Sequence, residues 1–115
     1  MIEELVIRIL TKSDFVESKM IRLESLREAP LNFGSSYEDE LLFDDDVWLT
    51  RLSNKDAITF GAFIGSNIVG SITLSLSRRL KTKHNAEIHG MYVKEEHQKK
   101  GVGFKLISAL IEYSN

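Results

Sequence analysis

Hydrophobic residues recur along this chain with two periods, and the changes of period mark its elements. Leu5 to Leu10 alternates and is rich in Val and Ile, the period-two pattern of a strand. Thr11 to Asp14 then supplies helix-capping side chains, after which Val16, Met20, Leu23 and Leu26 recur at spacings of four, three and three. This spacing predicts a helix with that stripe inward, with Glu17, Lys19, Glu24 and Arg27 in water, ended by Pro30. Leu31 to Ser36 reads as a loop, and Ser35 with Glu38 three residues on makes a capping-box pattern that opens a second helical region. Within it, Val47, Trp48, Leu49 and Leu52 belong most simply to the core. Ala57 to Ile64 and Ile68 to Ser77 are strand-like runs joined by Gly65-Ser66-Asn67, which predicts an antiparallel hairpin. Ala86 to Val93 carries β-branched and aromatic residues and reads as a further strand, and Phe104 to Tyr113 has apolar residues at helical spacing.

Composition narrows the class. A chain of 115 residues, 43% hydrophobic, is sized for one globular domain. Its net charge of −2 lacks the basic excess expected of a nucleic-acid or membrane-surface protein, so neither partner is expected. With no cysteine, disulfides, thiol catalysis and cysteine metal sites are excluded, and no metal is expected. No apolar run approaches ~18 residues, and Met1-Ile2-Glu3-Glu4 lacks a basic stretch before an apolar one. Neither a membrane span nor a signal peptide is indicated, and a cytoplasmic location is the expectation.

Candidate chemistry concentrates between the last strand and the last helix, where Gly101 and Gly103 stand at a predicted first turn. Unpaired N–H groups there, with the positive end of the helix dipole, attract phosphate, and Lys99, Lys100 and Lys105 add charge. A solvated turn whose glycines help the helix start is the plainer alternative. The dinucleotide fingerprint does not fit, because its third glycine would fall on Leu106, and no Walker P-loop occurs.

The run Gln98-Lys99-Lys100-Gly101-Val102-Gly103, following Met91-Tyr92-Val93, resembles the Q/R-x-x-G-x-G/A signature of the GNAT acetyltransferase superfamily. Arg22 to Arg27 with Pro30, then Phe33 to Glu38 and Trp48, is similar to a bacterial subgroup of that family whose substrate is undefined. The resemblance spans nearly the whole chain. It implies an α/β (α+β) fold, a mixed and mostly antiparallel sheet flanked by helices, and acetyl-CoA as co-substrate. It further implies that the backbone at Met91, Tyr92 and Val93 pairs with the pantetheine arm. Gln98, Lys99, Lys100, Gly101, Val102, Gly103 and Phe104 would hold the pyrophosphate, and Phe33, Tyr37 and Glu38 would be substrate contacts.

Acetyl transfer to an amine needs a group that takes the ammonium proton. By period two, Glu87, His89, Met91 and Val93 share one face of their strand, and Ile88, Gly90 and Tyr92 share the other. Glu87 stands eleven residues before Gln98, a spacing that matches the catalytic glutamate of the histone-acetyltransferase branch, which makes it the first candidate base. His89, whose ordinary pKa near 6.5 suits proton transfer, is the second. Either is equally readable as a solvated strand residue. Two charge clusters also have two readings. Glu38, Asp39, Glu40, Asp44, Asp45 and Asp46 form a solvated face or attract a cationic amine. Arg78, Arg79, Lys81 and Lys83 form a solvated hairpin tip or touch the cofactor's nucleotide phosphate.

The resemblance departs from the family at the C-terminus, since family members continue into another strand, a helix and usually a terminal strand pair. Residues 1–115 are therefore expected to be a single, apparently truncated domain lacking those elements and the tyrosine that often serves there as general acid. Val102, Phe104, Leu106, Ile107, Ala109, Leu110 and Ile111 occupy more than one stripe of the last helix, so it is expected to be covered, most economically by a second copy in a homodimer. The function expected is an acetyl-CoA-dependent N-acetyltransferase acting on a small-molecule or peptide primary amine by direct attack. A catalytically inactive GNAT remnant that binds CoA or serves as an assembly module is the alternative, and an unrelated phosphate-binding α/β domain a third.

Overall fold

In the computed structural model of the chain, which describes residues 4–28, 36–53, 56–76 and 86–114 without the side chains of Leu76, Ala86, Glu87, His89 and Ser114, four strands form one antiparallel sheet. The elements run β1 (Leu5–Ile9), a 3-10 turn (Lys12–Asp14), α1 (Phe15–Glu28), α2 (Tyr37–Leu41), α3 (Asp45–Ser53), β2 (Ala57–Ile64), β3 (Asn67–Leu76), β4 (Ala86–Val93), a second 3-10 turn (Glu95–Lys100) and α4 (Val102–Ser114). Sheet order is β1-β2-β3-β4, so β1 and β4 are its edges. An α/β fold with helices flanking the sheet is the architecture expected; the four described strands pair only antiparallel, so the sheet is not mixed among the described residues. Pro30 and Ser35, the expected stop and cap, lie outside the described residues.

Two apolar clusters hold helices to opposite faces of the sheet. Val102, Leu106 and Leu110, at spacings of four, bring one side of α4 onto Phe60, Ala62, Ile72, Leu74 and Val93. On the other face, Ile21 of α1 meets Leu10, Phe63, Ile68 and Tyr92. The sequence stripe for α1 is corrected here. Val16 and Met20 are half exposed, while Ile21, Ser25 and Leu26 are buried, because the covered sheet face is partly polar and takes small polar side chains in place of the most apolar stripe. Glu24 is likewise only partly exposed, and it accepts a hydrogen bond from the Tyr92 hydroxyl at 2.9 Å.

Helix starts are set locally. Asp14 accepts from the Thr11 N–H at 2.8 Å and takes both guanidinium branches of Arg8 at 2.9 Å, fixing the turn into α1. Ser36 caps α2 by accepting from the Asp39 N–H at 3.2 Å. Asp44 does the same for α3 through the Val47 N–H. Trp48 is fully buried, as expected of the α3 cluster, whereas Val47, Leu49 and Leu52 are only half-buried. The acidic run divides: Glu38, Asp39, Asp44, Asp45 and Asp46 are exposed, but Glu40 is 1% exposed and held by Arg22 at 3.0 Å and Arg51 at 2.8 Å. Its burial follows from having cationic partners on two other helices.

The sheet carries two irregularities. Ala62 pairs with Gly70 and Phe63 with Ile68, so Val69 is an extra residue in β3. In β4, Tyr92 pairs with Ser71 and His89 with Thr73, which places two residues, Gly90 and Met91, opposite Ile72. Gly90 takes φ +70°, a left-handed conformation that glycine adopts without steric penalty. This bulge overturns the period-two reading of β4. Glu87, His89 and Tyr92 pair with Ser75, Thr73 and Ser71, while Val93, expected on the face of Glu87, enters the core beneath α4.

Candidate functional site

The turn from β4 into α4 is built by three local features. Lys94 donates its N–H to Val69 O at 2.8 Å, the 3-10 turn ends at Gly101 with φ +78°, and Lys105 N–H to Gly101 O at 3.1 Å is the first helical bond of α4. The N–H groups of Val102, Gly103 and Phe104 precede that bond and have no i−4 partner within the helix. A Cβ at Gly101 would meet nothing within 4 Å, and one at Gly103 would meet only Met91 and Val93 at 3.8 to 3.9 Å. The space above this first turn is therefore open, and Lys99, Lys100 and Lys105 beside it are exposed. Such a turn can hold an anionic group on backbone donors.

Next to it lies an open cleft of about 610 Å³ bordered by Met91, Tyr92, Val93, Gln98 and Gly103 on one side and Glu24 and Glu28 on the other. Met91 is 44% exposed at the edge of the sheet, and β4 has no further strand beside it among the described residues. An extended ligand arm can pair with such an edge. The Gln98 side-chain amide donates to Val93 O at 2.9 Å, so this residue ties the turn to the strand. Phe104 is 75% exposed at the start of α4.

Across the cleft, the Tyr92 hydroxyl donates to Glu24 at 2.9 Å and the Lys94 ammonium lies 3.6 Å from the same carboxylate. Burial, then the Glu24 hydrogen bond and charge, push the Tyr92 hydroxyl well above the usual phenol range, so it stays a donor at all physiological pH. Glu95 and Glu96 also border the cleft. The cleft body is thus acidic while lysines flank its glycine turn, a polarity that suits an anionic group at the turn and a cation within the cleft.

The expected site residues distribute unevenly over this geometry. Met91, Tyr92, Val93, Gln98 and Gly103 converge on the cleft. Glu87 and His89 lie on the same strand opposite Ser75 and Thr73, their side chains outside the described residues. Tyr37 borders a neighbouring space of about 240 Å³ that shares Glu24 with the cleft. Glu38 is exposed on α2. Phe33, and the basic cluster Arg78, Arg79, Lys81 and Lys83, lie outside the described residues. Sequence reasoning missed the pairing of Glu24 with Tyr92, which no local signal announces because 68 residues separate them. Among the described residues no group of His, Asp and Glu is arranged to hold a metal.

Residues 20–115 match the Acetyltransferase (GNAT) family. Among solved structures, the chain is similar to an aminoglycoside acetyltransferase from an uncultured soil metagenomic sample in complex with sisomicin, at 26% identity and TM-score 0.72 over 96% of this chain and 69% of that one. It is similar in fold to the PaiA N-acetyltransferase of Thermoplasma acidophilum in complex with coenzyme A, at 23% identity and TM-score 0.76 over 96% and 72% of the two chains. It is also similar in fold to a ribosomal-protein-alanine N-acetyltransferase of Brucella melitensis biovar Abortus 2308, at 21% identity and TM-score 0.71 over 95% and 70%. No curated protein sequence matches the chain.

Proposed function

The chain belongs to the acetyltransferase (GNAT) family, and on that premise we propose that it transfers the acetyl group of acetyl-CoA to a primary amine by direct attack. The observation that carries this is the open turn at Gly101 and Gly103, whose first-turn N–H groups adjoin the free edge of β4. Backbone donors for a pyrophosphate and an unpaired strand edge for an extended arm stand in sequence along one cleft. The CoA complex and the aminoglycoside and ribosomal-protein acetyltransferases among its structural neighbours support a CoA thioester as donor and amines as acceptors.

When bound, acetyl-CoA supplies a thioester whose C–S bond breaks as the amide C–N bond forms. The chain's own part is to hold and orient. Val102, Gly103 and Phe104 present N–H groups to the pyrophosphate, Lys99, Lys100 and Lys105 neutralise it, and Met91 to Val93 align the arm along the strand. Gln98, through Val93 O, keeps turn and strand in register. Glu87 takes the proton that the attacking ammonium must lose, with His89 as the second candidate, and the thiolate of CoA is protonated on release. Tyr37, Phe33 and Glu38 serve the acceptor. The exposed apolar side of α4, formed by Phe104 and Ile111, pairs with a second copy of the chain.

Thiol release in the presence of an amine panel tests the reading. The chain has no cysteine, so a thiol reagent reports only the CoA set free. Glu87→Gln is expected to lower turnover about 10²- to 10⁴-fold while acetyl-CoA affinity is kept. Unchanged turnover in the folded variant removes Glu87 from the reaction, and a larger loss in His89→Ala transfers the role to His89. Acetyl-CoA binding without turnover on any amine would instead mark an inactive CoA-binding chain.

A further inference from the structure

The Glu24 carboxylate stands where α1 meets the cofactor cleft, apart from the groups that bind or react. It borders the cleft together with Tyr92, accepts from the Tyr92 hydroxyl at 2.9 Å and lies 3.6 Å from the Lys94 ammonium. Resting on the transferase reading above, we infer that Glu24 is a positioning residue. By holding Tyr92 and Lys94 it sets the path of β4 through Met91 to Val93, and so decides where the acyl arm of the co-substrate lies.

This stretch of β4 is weakly held by its own ladder. The bulge at Gly90 and Met91 interrupts the pairing with β3. Beyond it Tyr92 pairs with Ser71 and Val93 with Gly70, and the Lys94 N–H then reaches Val69 O at 2.8 Å. Val69 is itself the extra residue of β3, so the backbone is irregular on both strands here. Among the described residues β4 is an edge strand, with β3 on one side and no strand on the other. An edge that must accept an extended ligand cannot be stiffened by a further strand, so its geometry has to come from side chains.

Alternation along the strand divides the contacts. Val93 is buried in the α4 cluster, and both Val93 and Met91 lie within 3.9 Å of where a Cβ at Gly103 would stand, so these two side chains face the glycine turn. Tyr92 goes the other way and is 8% exposed in the α1 cluster with Ile21, Phe63 and Ile68. Apolar contact holds its ring on that face without fixing its direction, since burial is non-directional. The bond from its hydroxyl to a charged acceptor supplies the direction. Tyr92 and Lys94 are two residues apart, hence on one face, and a single carboxylate takes both. Glu24 thus couples α1 to the strand immediately behind the backbone that the arm would pair with.

The charge of Glu24 separates this role from direct binding. A carboxylate beside the cleft repels phosphate, so if charge were its only effect, its removal would tighten every phosphate-bearing ligand. A positioning role predicts the opposite sign. It also predicts that the loss falls on ligands that carry the arm and spares those that lack it, because only the arm depends on where Met91 to Val93 run.

Calorimetry on the full chain with acetyl-CoA and with 3′-phospho-ADP, which carries the pyrophosphate without the arm, tests this. Glu24→Ala is expected to weaken acetyl-CoA about tenfold and to leave 3′-phospho-ADP within about twofold of wild type. Glu24→Gln keeps an oxygen for the Tyr92 hydroxyl and is expected to recover most of the loss. Tyr92→Phe removes the same bond from the other side, is expected to weaken acetyl-CoA in the same selective way, and carries the test should Glu24→Ala fail to fold. Combining the two substitutions is expected to add little to either alone, since both break one contact. Equal weakening of the two ligands, tighter binding of both, or wild-type acetyl-CoA affinity in the folded variants overturns the inference. A wild-type chain that binds neither ligand sinks the transferase reading itself, whereas one that binds both, with variants unchanged, sinks only the role of Glu24.

Discussion

Asp14 carries one of the clearest electrostatic signals in the molecule. Its carboxylate is 11% exposed, grips both branches of the Arg8 guanidinium, and accepts from the Thr11 N–H, so it joins the end of β1 to the start of α1. The Arg8 hydrogen bonds, followed by the Thr11 contacts and against the cost of burial, bring its pKa down from 3.8 to about 2. A carboxylate whose pKa is lower folded than unfolded contributes stability that is fully present above about pH 4 and lost as the pH falls towards 2. Because the Arg8 side chain is 45% exposed and solvent screens the pair, the contribution is about 1 to 2 kcal/mol. Thermal melts of wild type and Asp14→Asn between pH 2 and 6 check it. The variant is expected to melt roughly 4 to 8 °C lower at pH 6, with the gap closing at pH 2; a gap independent of pH would contradict the assignment. At this scale the sequence was only partly legible. Thr11 and Asp14 announce a helix start, but nothing near Glu40 distinguishes it from its solvated neighbours, since its partners Arg22 and Arg51 lie on other helices.

Among the elements, the hairpin of β2 and β3 and the strand-turn-helix of β4 and α4 were readable because each is specified by neighbours in sequence. Period, turn glycines and the apolar spacing of Val102, Leu106 and Leu110 all act within a few residues. The inward face of α1 was not readable, because that depends on which sheet face the helix covers. A polar wall of Ser71 and Thr73 calls for Ser25 beneath it, which a search for apolar stripes passes over. The bulge at Gly90 is equally silent: a single glycine inside a strand shifts the parity of everything after it. For α4, one face is packed, yet Phe104 is 75% and Ile111 50% exposed. Pairing with a second copy would bury them, at a gain of roughly 1.5 to 3 kcal/mol per fully buried side chain. Light scattering at micromolar concentration is expected to give the mass of a dimer, and Phe104→Ser with Ile111→Ser is expected to shift it towards monomer. A wild-type chain that scatters as a monomer with little apolar-dye binding would contradict this pairing.

At the scale of the whole molecule, the sheet acts as a partition. One helix layer closes the α4 side and carries the glycine turn, the other leaves a space walled by hydroxyls, arginines and apolar side chains, and β4, an edge strand among the described residues, runs between the two and borders the cleft. No helix among the described residues is long and apolar enough to cross a membrane. The family was legible in the sequence because its signature, Gln98 to Gly103, is a local backbone requirement. The space on the other side of the sheet was not, because it is assembled from α1, α3, β2, β3 and β4 at once. The central claim is that acetyl-CoA is held by the first turn of α4, and titration calorimetry of wild type against Gly103→Asp tests it most directly. The neighbours at Gly103 leave room for a Cβ, so the variant can fold while placing a carboxylate where phosphate must sit. Wild type is expected to bind acetyl-CoA with a single site per chain, and the folded variant to show no measurable heat; equal affinity in the two would contradict the account.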